Sequence, residues 1–334
     1  MINVAQIGVG YWGPNLLRNL VLNKDCDVKL VVDISEERRA YVKSLYPSIK
    51  VSENVQDIVN DATIDAVVIA TPFKTHYELL TKLIKAGKHV LVEKPLASSL
   101  SEINEIEYLQ KEKNVIVMVG HTFLYNSAVR FVKNIIDSGD LGDIRYIYSQ
   151  RLNLGRIRSD INALWNFAPH DISIIQYWLD ESEPISVSVH GMDYVQEGIY
   201  DVVFMNLIYP GKIMANIHVS WLDPQRVRKM IVVGSRKMAI YDDIAENKIA
   251  IYDKGIDRMA VLGKNMDYDI PDSIKFNHRS GDVLLPNIKF VEPLKVEIAH
   301  FIDCIANGTK CITDVEHAKK VIKVLCKCNS KYLF

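Results

Sequence analysis

A glycine-rich turn near the start of the chain limits the possible folds more than any other segment. It follows a β-rich run over residues 3–9 and precedes a helical pattern over residues 14–22, which Pro14 opens. In this context the glycines allow a tight turn, close approach of the backbone to a pyrophosphate and close helix–strand packing. The free N–H groups of the helix N-terminus attract phosphate. The turn therefore predicts a dinucleotide site that includes Gly8, Gly10, Tyr11, Trp12 and Gly13.

Short apolar strands alternate with helical patterns as far as residue 119. This alternation is typical of an α/β domain with a doubly wound parallel sheet, the Rossmann fold. Asp33 ends the second strand about twenty residues after the glycines, where an acid binds the ribose hydroxyls of NAD. Its charge would repel a 2′-phosphate, so NAD is favoured over NADP, although Arg38 and Arg39 follow and could partner a phosphate. Further strands are predicted at residues 65–72, 89–92 and 115–119.

The pattern changes after residue 120, and a second domain is predicted there. Strand-length runs with turn signals fill residues 185–252 without crossover helices, which predicts an antiparallel sheet. Residues 253–290 are expected to be irregular and polar. The predicted division is a cofactor domain over residues 1–120 and an α+β domain for substrate binding and oligomerisation over residues 121–334. Its helices are predicted at residues 128–136, 172–179, 293–306 and 314–332, and a further strand at residues 142–152.

The composition excludes several classes of protein. Lys and Arg number 40 and Asp and Glu number 41, so the chain lacks the basic excess of a nucleic-acid-binding or membrane-surface protein. No apolar run approaches the ~20 residues that span a bilayer. The five scattered cysteines do not form a disulfide framework, and no signal peptide is recognised, so a cytoplasmic protein with reduced thiols is expected. No metal site is expected, because the histidines show no metal-ligand spacing.

In three further motifs, polar side chains lie at the ends of predicted strands or helices. Glu93-Lys94-Pro95 ends a buried strand, where a lysine either points into a ligand cleft or belongs to a solvated turn. Thr75 and His76 either line a nicotinamide or cap a helix. Asp171 is expected to act as a capping residue. The motifs are Ala70-Thr71-Pro72 with Thr75-His76, Glu93-Lys94-Pro95, and Pro169-His170-Asp171.

Together with the glycine turn, these motifs resemble the glucose–fructose oxidoreductase/inositol dehydrogenase family, Gfo/Idh/MocA. The resemblance implies an open-faced antiparallel sheet in the second domain, and a homodimer or homotetramer. It also implies that Lys94 and His170 are catalytic, with Lys94 beside the nicotinamide and the reacting hydroxyl. Partial burial is expected to lower the pKa of such a lysine enough for it to act as a base. The family has an acid four residues before the histidine, but Asn166 stands there, so an acid–base role at position 166 is in doubt.

The stretch from residue 156 to Trp165 resembles family members that act on sugar nucleotides. The expected reaction is NAD-dependent oxidation of a secondary hydroxyl, at C3, of UDP-N-acetylglucosamine or its uronate. A keto-sugar nucleotide reductase, a free sugar or inositol dehydrogenase, and a non-catalytic NAD sensor remain alternatives. Further cofactor contacts are expected from Thr71, Pro72, Thr75, His76, Glu93 and Lys94. Substrate contacts are expected from Lys94, Tyr125, Asn126, Arg151, Arg156, Arg158, Asn166 and His170, although each arginine could equally be a solvated loop charge.

Overall fold

The computed structural model describes residues 1–155, 157–159, 161–260 and 274–329, which form two compact units. The first unit contains residues 1–126 and 291–329, and the second contains the described residues between 127 and 290. This division differs from the one expected, because the two closing helices belong to the first unit. No helix within the described ranges is long and apolar enough to cross a membrane.

The first unit contains a six-stranded, fully parallel sheet, which confirms the predicted doubly wound fold. Its strand order is β3-β2-β1-β4-β5-β6, so the direction of winding reverses between β1 and β4. Ligands bind at such a reversal, outside the carboxyl ends of the strands. The strands are β1 (Ile2–Ile7), β2 (Cys26–Val32), β3 (Lys50–Ser52), β4 (Ala66–Ile69), β5 (His89–Glu93) and β6 (Val117–Gly120).

Helices cover this sheet, and some of them begin directly after a serine that caps the helix N-terminus. The Ser35 and Ser99 hydroxyls each accept a hydrogen bond from a backbone N–H in the first helical turn. Every residue of β4 is buried, as expected for a parallel strand covered on both faces. The helices of the chain are α1 (Gly13–Leu22), α2 (Glu36–Leu45), α3 (Gln56–Asn60), α4 (His76–Lys85), α5 (Leu100–Lys113), α6 (Ser127–Asp137), α7 (Ala163–Trp178), α8 (Pro293–Asn307) and α9 (Val315–Asn329).

Helix α8 packs against α1 and against a 3₁₀ turn at Thr122–Tyr125, while α9 packs against α5 and β6. Leu294, Ile298 and Phe301 on α8 belong to the hydrophobic core of the first unit. An amphipathic pattern identifies the apolar face of a helix, but it does not say which sheet that face covers. The sequence therefore predicted both closing helices without placing them in the correct unit.

The second unit contains an eight-stranded mixed sheet in the order β14-β13-β12-β11-β7-β10-β9-β8. The predicted antiparallel pairing is found between all neighbours except β7 and β10, which are parallel. The expectation of an irregular segment over residues 253–290 is wrong for residues 253–260 and 274–284, which belong to two long paired strands, whereas residues 285–290 are irregular. The strands are β7 (Ile144–Leu152), β8 (Ser186–Met192), β9 (Val202–Tyr209), β10 (Ile213–Ser220), β11 (Val227–Gly234), β12 (Met238–Asp242), β13 (Ile249–Ala260) and β14 (Ile274–Leu284).

Helix α7 packs against β7, β9 and β10 and covers one face of this sheet. Met205 and Ala215 lie buried beneath it, whereas Phe204 and Met214 on the opposite face are 45% and 46% exposed. This alternation confirms the predicted open face. The helix begins nine residues before its predicted start, where the Asn162 side chain accepts a hydrogen bond from the backbone N–H of Trp165, and it continues through Pro169.

Candidate active site and cofactor site

The glycine turn connects β1 to α1 and has the geometry that a dinucleotide requires. Gly8 has a φ of 93°, and a side chain at Gly13 would collide with the Gly8 carbonyl oxygen. Nothing lies within 4 Å of the position where Gly10 would carry a Cβ, so backbone here is open to a ligand. Trp12 at the start of α1 provides no side-chain cap for the helix N–H groups. These features fit a bound pyrophosphate.

Asp33 lies directly after β2 and holds the glycine turn in place. One carboxylate oxygen accepts a hydrogen bond from Val9 N at 2.7 Å, and the other accepts one from Ser35 N at 2.9 Å. A carboxylate has about four acceptor positions, so capacity remains for ribose hydroxyls. Arg39, rather than Arg38, reaches the Asp33 backbone carbonyl, while the Arg38 side chain is exposed. The residues at this strand end therefore fit NAD.

The loop after β4 contains Thr71, Pro72, Thr75 and His76. The Thr71 and Thr75 hydroxyls are 2.7 Å apart, and Thr75 also donates to the Pro72 carbonyl. The alternative role of Thr75 as a helix cap is wrong, because its side chain makes no capping hydrogen bond. Thr71, Pro72 and Thr75 remain partly or fully exposed at the loop surface.

His76, in contrast, is almost fully buried and lies between two loops. Its Nδ1 is 2.9 Å from the Pro95 carbonyl oxygen, and its Nε2 is 3.0 Å from the Thr71 carbonyl oxygen. Burial lowers the pKa of this imidazole, although both carbonyls raise it. A neutral ring donates to one of the two carbonyls at a time. His76 thus holds the segment after Lys94 against the end of β4.

Glu93 ends β5 and Lys94 directly follows it, and both residues are half-buried. The Glu93 carboxylate lies over Gly120, where an added Cβ would be 3.2 Å away, and it accepts a hydrogen bond from the Trp12 side chain. Burial raises the pKa of Glu93 to about 7, although Lys94 and Trp12 lower it. The Lys94–Pro95 peptide bond is cis. A lysine and a carboxyl group that titrates near neutrality therefore stand side by side at the ligand-binding edge of the sheet.

A second buried acid, Glu297 of α8, interacts electrostatically with Glu93. Its side chain is fully buried and accepts a hydrogen bond from Thr122 Oγ1 at 2.8 Å. Burial and the charge of Glu93 raise the pKa of Glu297 well above its ordinary value. Its Oε1 atom is buried without a hydrogen-bond partner among the described residues. The hydrogen bond from Thr122 lowers this pKa only in part, so the protonated form of the carboxyl group is favoured relative to an exposed glutamate.

His121, at the end of β6, is the third buried titratable group of this region. Its ring contacts the His317 ring edge-on, with centroids 5.2 Å apart. Burial, His317 and Lys94 together lower the pKa of His121 well below its ordinary value, so the ring is neutral. We refer to Glu93, Lys94, His121, Thr122 and Glu297 as the acid–base cluster. Perturbed titratable groups that gather at a ligand-binding edge are typical of functional sites.

Sequence reasoning did not identify Glu297 or Thr122, and it left the role of His121 open. A signal for Glu297 does exist, because this glutamate lies on the apolar face of α8, one residue before Ile298 and three after Leu294. Charged residues are rarely fully buried unless they have a partner or a function. For Thr122 we find no comparable signal.

In the second unit, Asn166 and His170 lie one turn apart on α7, and both are half-buried. Asp171 does not cap a helix as expected. Its carboxylate is 1% exposed and accepts hydrogen bonds from Arg151 at 3.0 Å and from Ser149 at 2.9 Å. Arg151 is correspondingly buried, and the Asp171 charge raises its pKa against the effect of burial. This ion pair joins β7 to α7, which is not the solvent-facing position expected of a substrate ligand.

The remaining predicted substrate residues have varied surroundings. Tyr125 is 1% exposed, with its hydroxyl 3.1 Å from Thr313 Oγ1, so it belongs to the core. Asn126 is also buried. Arg158 is exposed, and its backbone carbonyl accepts a hydrogen bond from Gln196. Arg156 lies outside the described residues.

A doubly wound sheet with a dinucleotide turn, and with a lysine in an acid–base cluster at its carboxyl edge, defines an NAD-dependent oxidoreductase. Residues 2–121 match the model of the oxidoreductase family with an NAD-binding Rossmann fold. Residues 129–240 match that of the GFO/IDH/MocA C-terminal domain. The chain therefore belongs to the Gfo/Idh/MocA family, whose members are dehydrogenases and oxidoreductases that act on hydroxyl groups.

Curated relatives match this chain at modest identity. The scyllo-inositol 2-dehydrogenase (NAD(+)) of Bacillus subtilis is 26% identical over 328 residues, which cover 94% of this chain and 90% of that protein. An "uncharacterized oxidoreductase" of Streptococcus pneumoniae is 27% identical over 226 residues, which cover 64% of this chain but only 60% of the relative.

Two solved structures resemble the whole chain. UDP-N-acetylglucosamine 3-dehydrogenase GnnA from Acidithiobacillus ferrooxidans superimposes with a TM-score of 0.80 at 21% identity, covering 98% of this chain and 96% of that one. GenD2 from gentamicin A biosynthesis, in complex with NAD, gives a TM-score of 0.78 at 18% identity and covers 97% of this chain and 92% of that one. At these identities the likeness shows the fold.

Proposed function

We propose that this NAD-dependent dehydrogenase oxidises a secondary hydroxyl group, at C3, of a UDP-linked amino sugar such as UDP-N-acetylglucosamine or its uronate. The observation that carries the proposal is the position of Lys94 at the carboxyl edge of the parallel sheet, beside a glutamate that titrates near neutrality. The choice of substrate is supported by the overall similarity to GnnA. It is also supported by the exposed, positively charged Arg158, because guanidinium groups bind diphosphates and carboxylates.

Bound NAD supplies the hydride acceptor for this oxidation. The groups described above would hold it: the backbone at Gly10 and the N–H groups at the start of α1 at the pyrophosphate, and the Asp33 carboxylate at the ribose. Lys94 Nζ removes the proton of the sugar hydroxyl as the carbonyl group forms. Glu93 keeps Lys94 in position. Their electrostatic interaction also affects how readily Lys94 takes up and releases a proton. His170 binds the sugar or shares the hydroxyl proton, as its counterpart does in the family pattern.

The test is a single-turnover measurement of nicotinamide absorbance after mixing the protein and NAD with each UDP-sugar. We expect reduction of NAD by the wild type. Lys94→Ala should bind NAD normally but react about 100- to 10,000-fold more slowly, the usual contribution of a general base. Lys85→Ala, which removes an exposed lysine at the end of α4, serves as the matched control and should react normally. An unchanged rate in Lys94→Ala would contradict the assignment of the base.

The same assay tests His170. We expect His170→Ala to lose a large part of the rate but less than Lys94→Ala loses, because a side chain that hydrogen-bonds the substrate supports proton transfer without replacing the base. Asn166→Asp is a useful companion variant, because it restores an acid one turn before His170. If His170→Ala turns over at the wild-type rate, His170 is a packing residue.

A second candidate substrate is a free cyclic polyol. It is favoured by the similarity to scyllo-inositol 2-dehydrogenase, which extends over 94% of this chain. Parallel reactions with scyllo-inositol and myo-inositol distinguish the two candidates. Reduction of NAD by an inositol, but by neither UDP-sugar, would replace the proposed substrate and leave the role of Lys94 intact. NAD that binds and stays oxidised with every substrate, with NADH likewise inert toward keto-sugar nucleotides, would indicate a non-catalytic NAD-binding protein.

A further inference from the structure

Three side chains with metal-ligating atoms meet near the end of α8, outside the acid–base cluster. His300 and Cys304 lie one turn apart on the helix, and Cys311 lies in the loop that follows. One ligand atom from each residue lies within 4.8 Å of the other two. We refer to these three residues as the thiol–imidazole cluster. The histidine spacing predicted no metal site, but the four-residue separation of His300 and Cys304 places both on one helix face.

The separation of these atoms suits a shared metal ion. Zinc bonds sulfur at about 2.3 Å and nitrogen at about 2.0–2.1 Å in tetrahedral sites. Two such ligands at a tetrahedral angle are about 3.6 Å apart for a nitrogen–sulfur pair and about 3.8 Å apart for a sulfur pair. The observed distance between His300 Nε2 and Cys304 Sγ is 3.5 Å. An ion could therefore enter between them with little movement of the helix.

The loop that carries Cys311 is held against α8 by its own contacts. Gly308 ends the helix with a φ of 69°, which turns the chain back. The backbone N–H of Ile312 then donates a hydrogen bond to His300 Nε2 at 3.1 Å. Cys304 is buried, whereas His300 and Cys311 are only partly buried, so one side of the cluster is accessible from outside. Three protein ligands with an accessible side leave room for water as a fourth ligand.

Ion binding requires His300 Nε2 to exchange the Ile312 N–H for the metal. That N–H group can then donate to a cysteine sulfur instead, because the sulfurs become negatively charged when they bind an ion. Charged acceptors take hydrogen bonds from backbone N–H groups, and such contacts are common around metal ligands. The two thiol protons pass to solvent as the sulfurs become thiolates.

We propose that His300, Cys304 and Cys311 form a binding site for one thiophilic divalent cation. Two thiolates and an imidazole are a ligand set that suits Zn²⁺, and the 3.5 Å between His300 Nε2 and Cys304 Sγ agrees with tetrahedral ligands of this ion. The bound ion fastens the loop after α8 to the helix. The site is independent of the proposed substrate, because its residues are separate from the acid–base cluster.

Cobalt titration of the full-length protein tests this site, because Co²⁺ bound to thiolates absorbs visible and near-ultraviolet light. The protein is kept reduced, freed of metal with a chelator, and titrated with Co²⁺ and then with Zn²⁺. We expect a saturable thiolate–cobalt absorption at one ion per chain, which Zn²⁺ abolishes. Cys304→Ser and Cys311→Ser should each weaken binding at least ~100-fold, since loss of an outer partner alone costs 10- to 100-fold. Cys326→Ser, which alters a partly buried thiol of α9, is the control and should bind normally.

Circular dichroism and NAD binding show whether each variant is folded. If Cys304→Ser fails to fold, Cys311→Ser and His300→Gln decide, because both alter partly exposed positions. The proposal is overturned if the folded wild type shows no thiolate–cobalt absorption, or if that absorption persists in Cys311→Ser. It is also overturned if the reduced protein binds no cobalt and, once oxygen is admitted as the oxidant, readily forms a Cys304–Cys311 disulfide, detected as a loss of two hydrogens by mass. None of these outcomes depends on whether UDP-sugars are oxidised.

Discussion

Gly10 and Gly13 belong to the same turn, but side chains at the two positions would have different consequences. At Gly13, an added Cβ would lie 2.4 Å from the carbonyl oxygen of Gly8, a contact that the backbone must move to relieve. At Gly10, an added Cβ would meet nothing within 4 Å. Gly13 therefore allows the close packing that the fold needs, whereas Gly10 keeps space open for the ligand.

This contrast predicts different effects of alanine at the two positions. Gly10→Ala should keep the wild-type free energy of unfolding but lose NAD affinity, because its methyl group occupies the space next to the pyrophosphate. Gly13→Ala should lose both affinity and stability, because the strand and helix can no longer pack closely. Urea unfolding and calorimetric titration with NAD measure the two quantities. Equal loss of stability in both variants would contradict the assigned roles.

The position of Lys94 could be predicted from nearby residues, but its electrostatic neighbours could not. A lysine after a buried strand in an α/β chain predicts a side chain at the ligand-binding edge, because strand ends of a parallel sheet share one edge. The structure places it there. Lys94 interacts electrostatically with His121, which follows β6, and with its neighbour Glu93. Glu93 in turn interacts with Glu297 of α8, in a distant part of the chain. Electrostatic neighbours separated by some two hundred residues leave no pattern in a single sequence.

At the scale of elements, α8 carries two glutamates with opposite electrostatic surroundings. Glu292 immediately precedes the helix, and hydrogen bonds from Arg18 and Asn19 lower the pKa of this carboxyl group. Glu297, five residues later, is buried beside Glu93, and its pKa is raised. The two residues should therefore affect the pH dependence of stability in opposite ways.

The direction follows from proton binding. Above the ordinary pKa of 4.5, folded Glu297 keeps a proton that the unfolded chain has released, so its contribution to the free energy of unfolding falls as the pH rises. Glu93 contributes in the same direction up to a pH of about 7. Neutral His121 contributes oppositely below 6.5, since its folded pKa is lowered. Glu292 stabilises the folded state above pH 4.5, and this contribution disappears as the pH falls below that value.

We therefore expect Glu297→Gln to lessen the loss of stability as the pH rises above 4.5, since glutamine does not titrate. Glu292→Gln, on the same helix, should instead lessen the loss of stability below pH 4.5 and leave the higher range unchanged. Urea unfolding at a series of pH values measures both effects relative to wild type. A Glu297→Gln curve parallel to that of the wild type would show that this carboxyl group is already ionised at neutral pH.

At the scale of the whole molecule, one face of the second sheet carries exposed apolar side chains. Phe204 on this face is 45% exposed and stacks on His218, with ring centroids 4.0 Å apart. Met214 and Tyr146 add further exposed apolar surface on the neighbouring strands. Contiguous apolar patches on a sheet face are typical of protein–protein interfaces. We propose that two or four copies of the chain associate through this face.

We expect the wild type to be a dimer or tetramer by light scattering, and Phe204→Glu to shift the equilibrium toward monomer, because a charge would be buried in the interface. The control is Tyr108→Glu on α5, where the aromatic ring is 66% exposed in the first unit. This variant should keep the wild-type mass. A monomeric wild type, or a Phe204→Glu variant that remains fully associated, would contradict the proposed interface.

The sequence by itself determined the parallel sheet, the dinucleotide turn and the position of Lys94, because each depends on a local pattern. Strand–helix alternation, glycine geometry and strand-end residues can all be recognised within a few neighbouring positions. Only the tertiary structure decided that β7 lies between β10 and β11, and that α8 and α9 complete the first unit. It alone paired Arg151 with Asp171 and Cys304 with Cys311. Each of these arrangements joins groups from distant segments, which come together only when the chain folds. Backbone ladders and buried ion pairs then satisfy these groups.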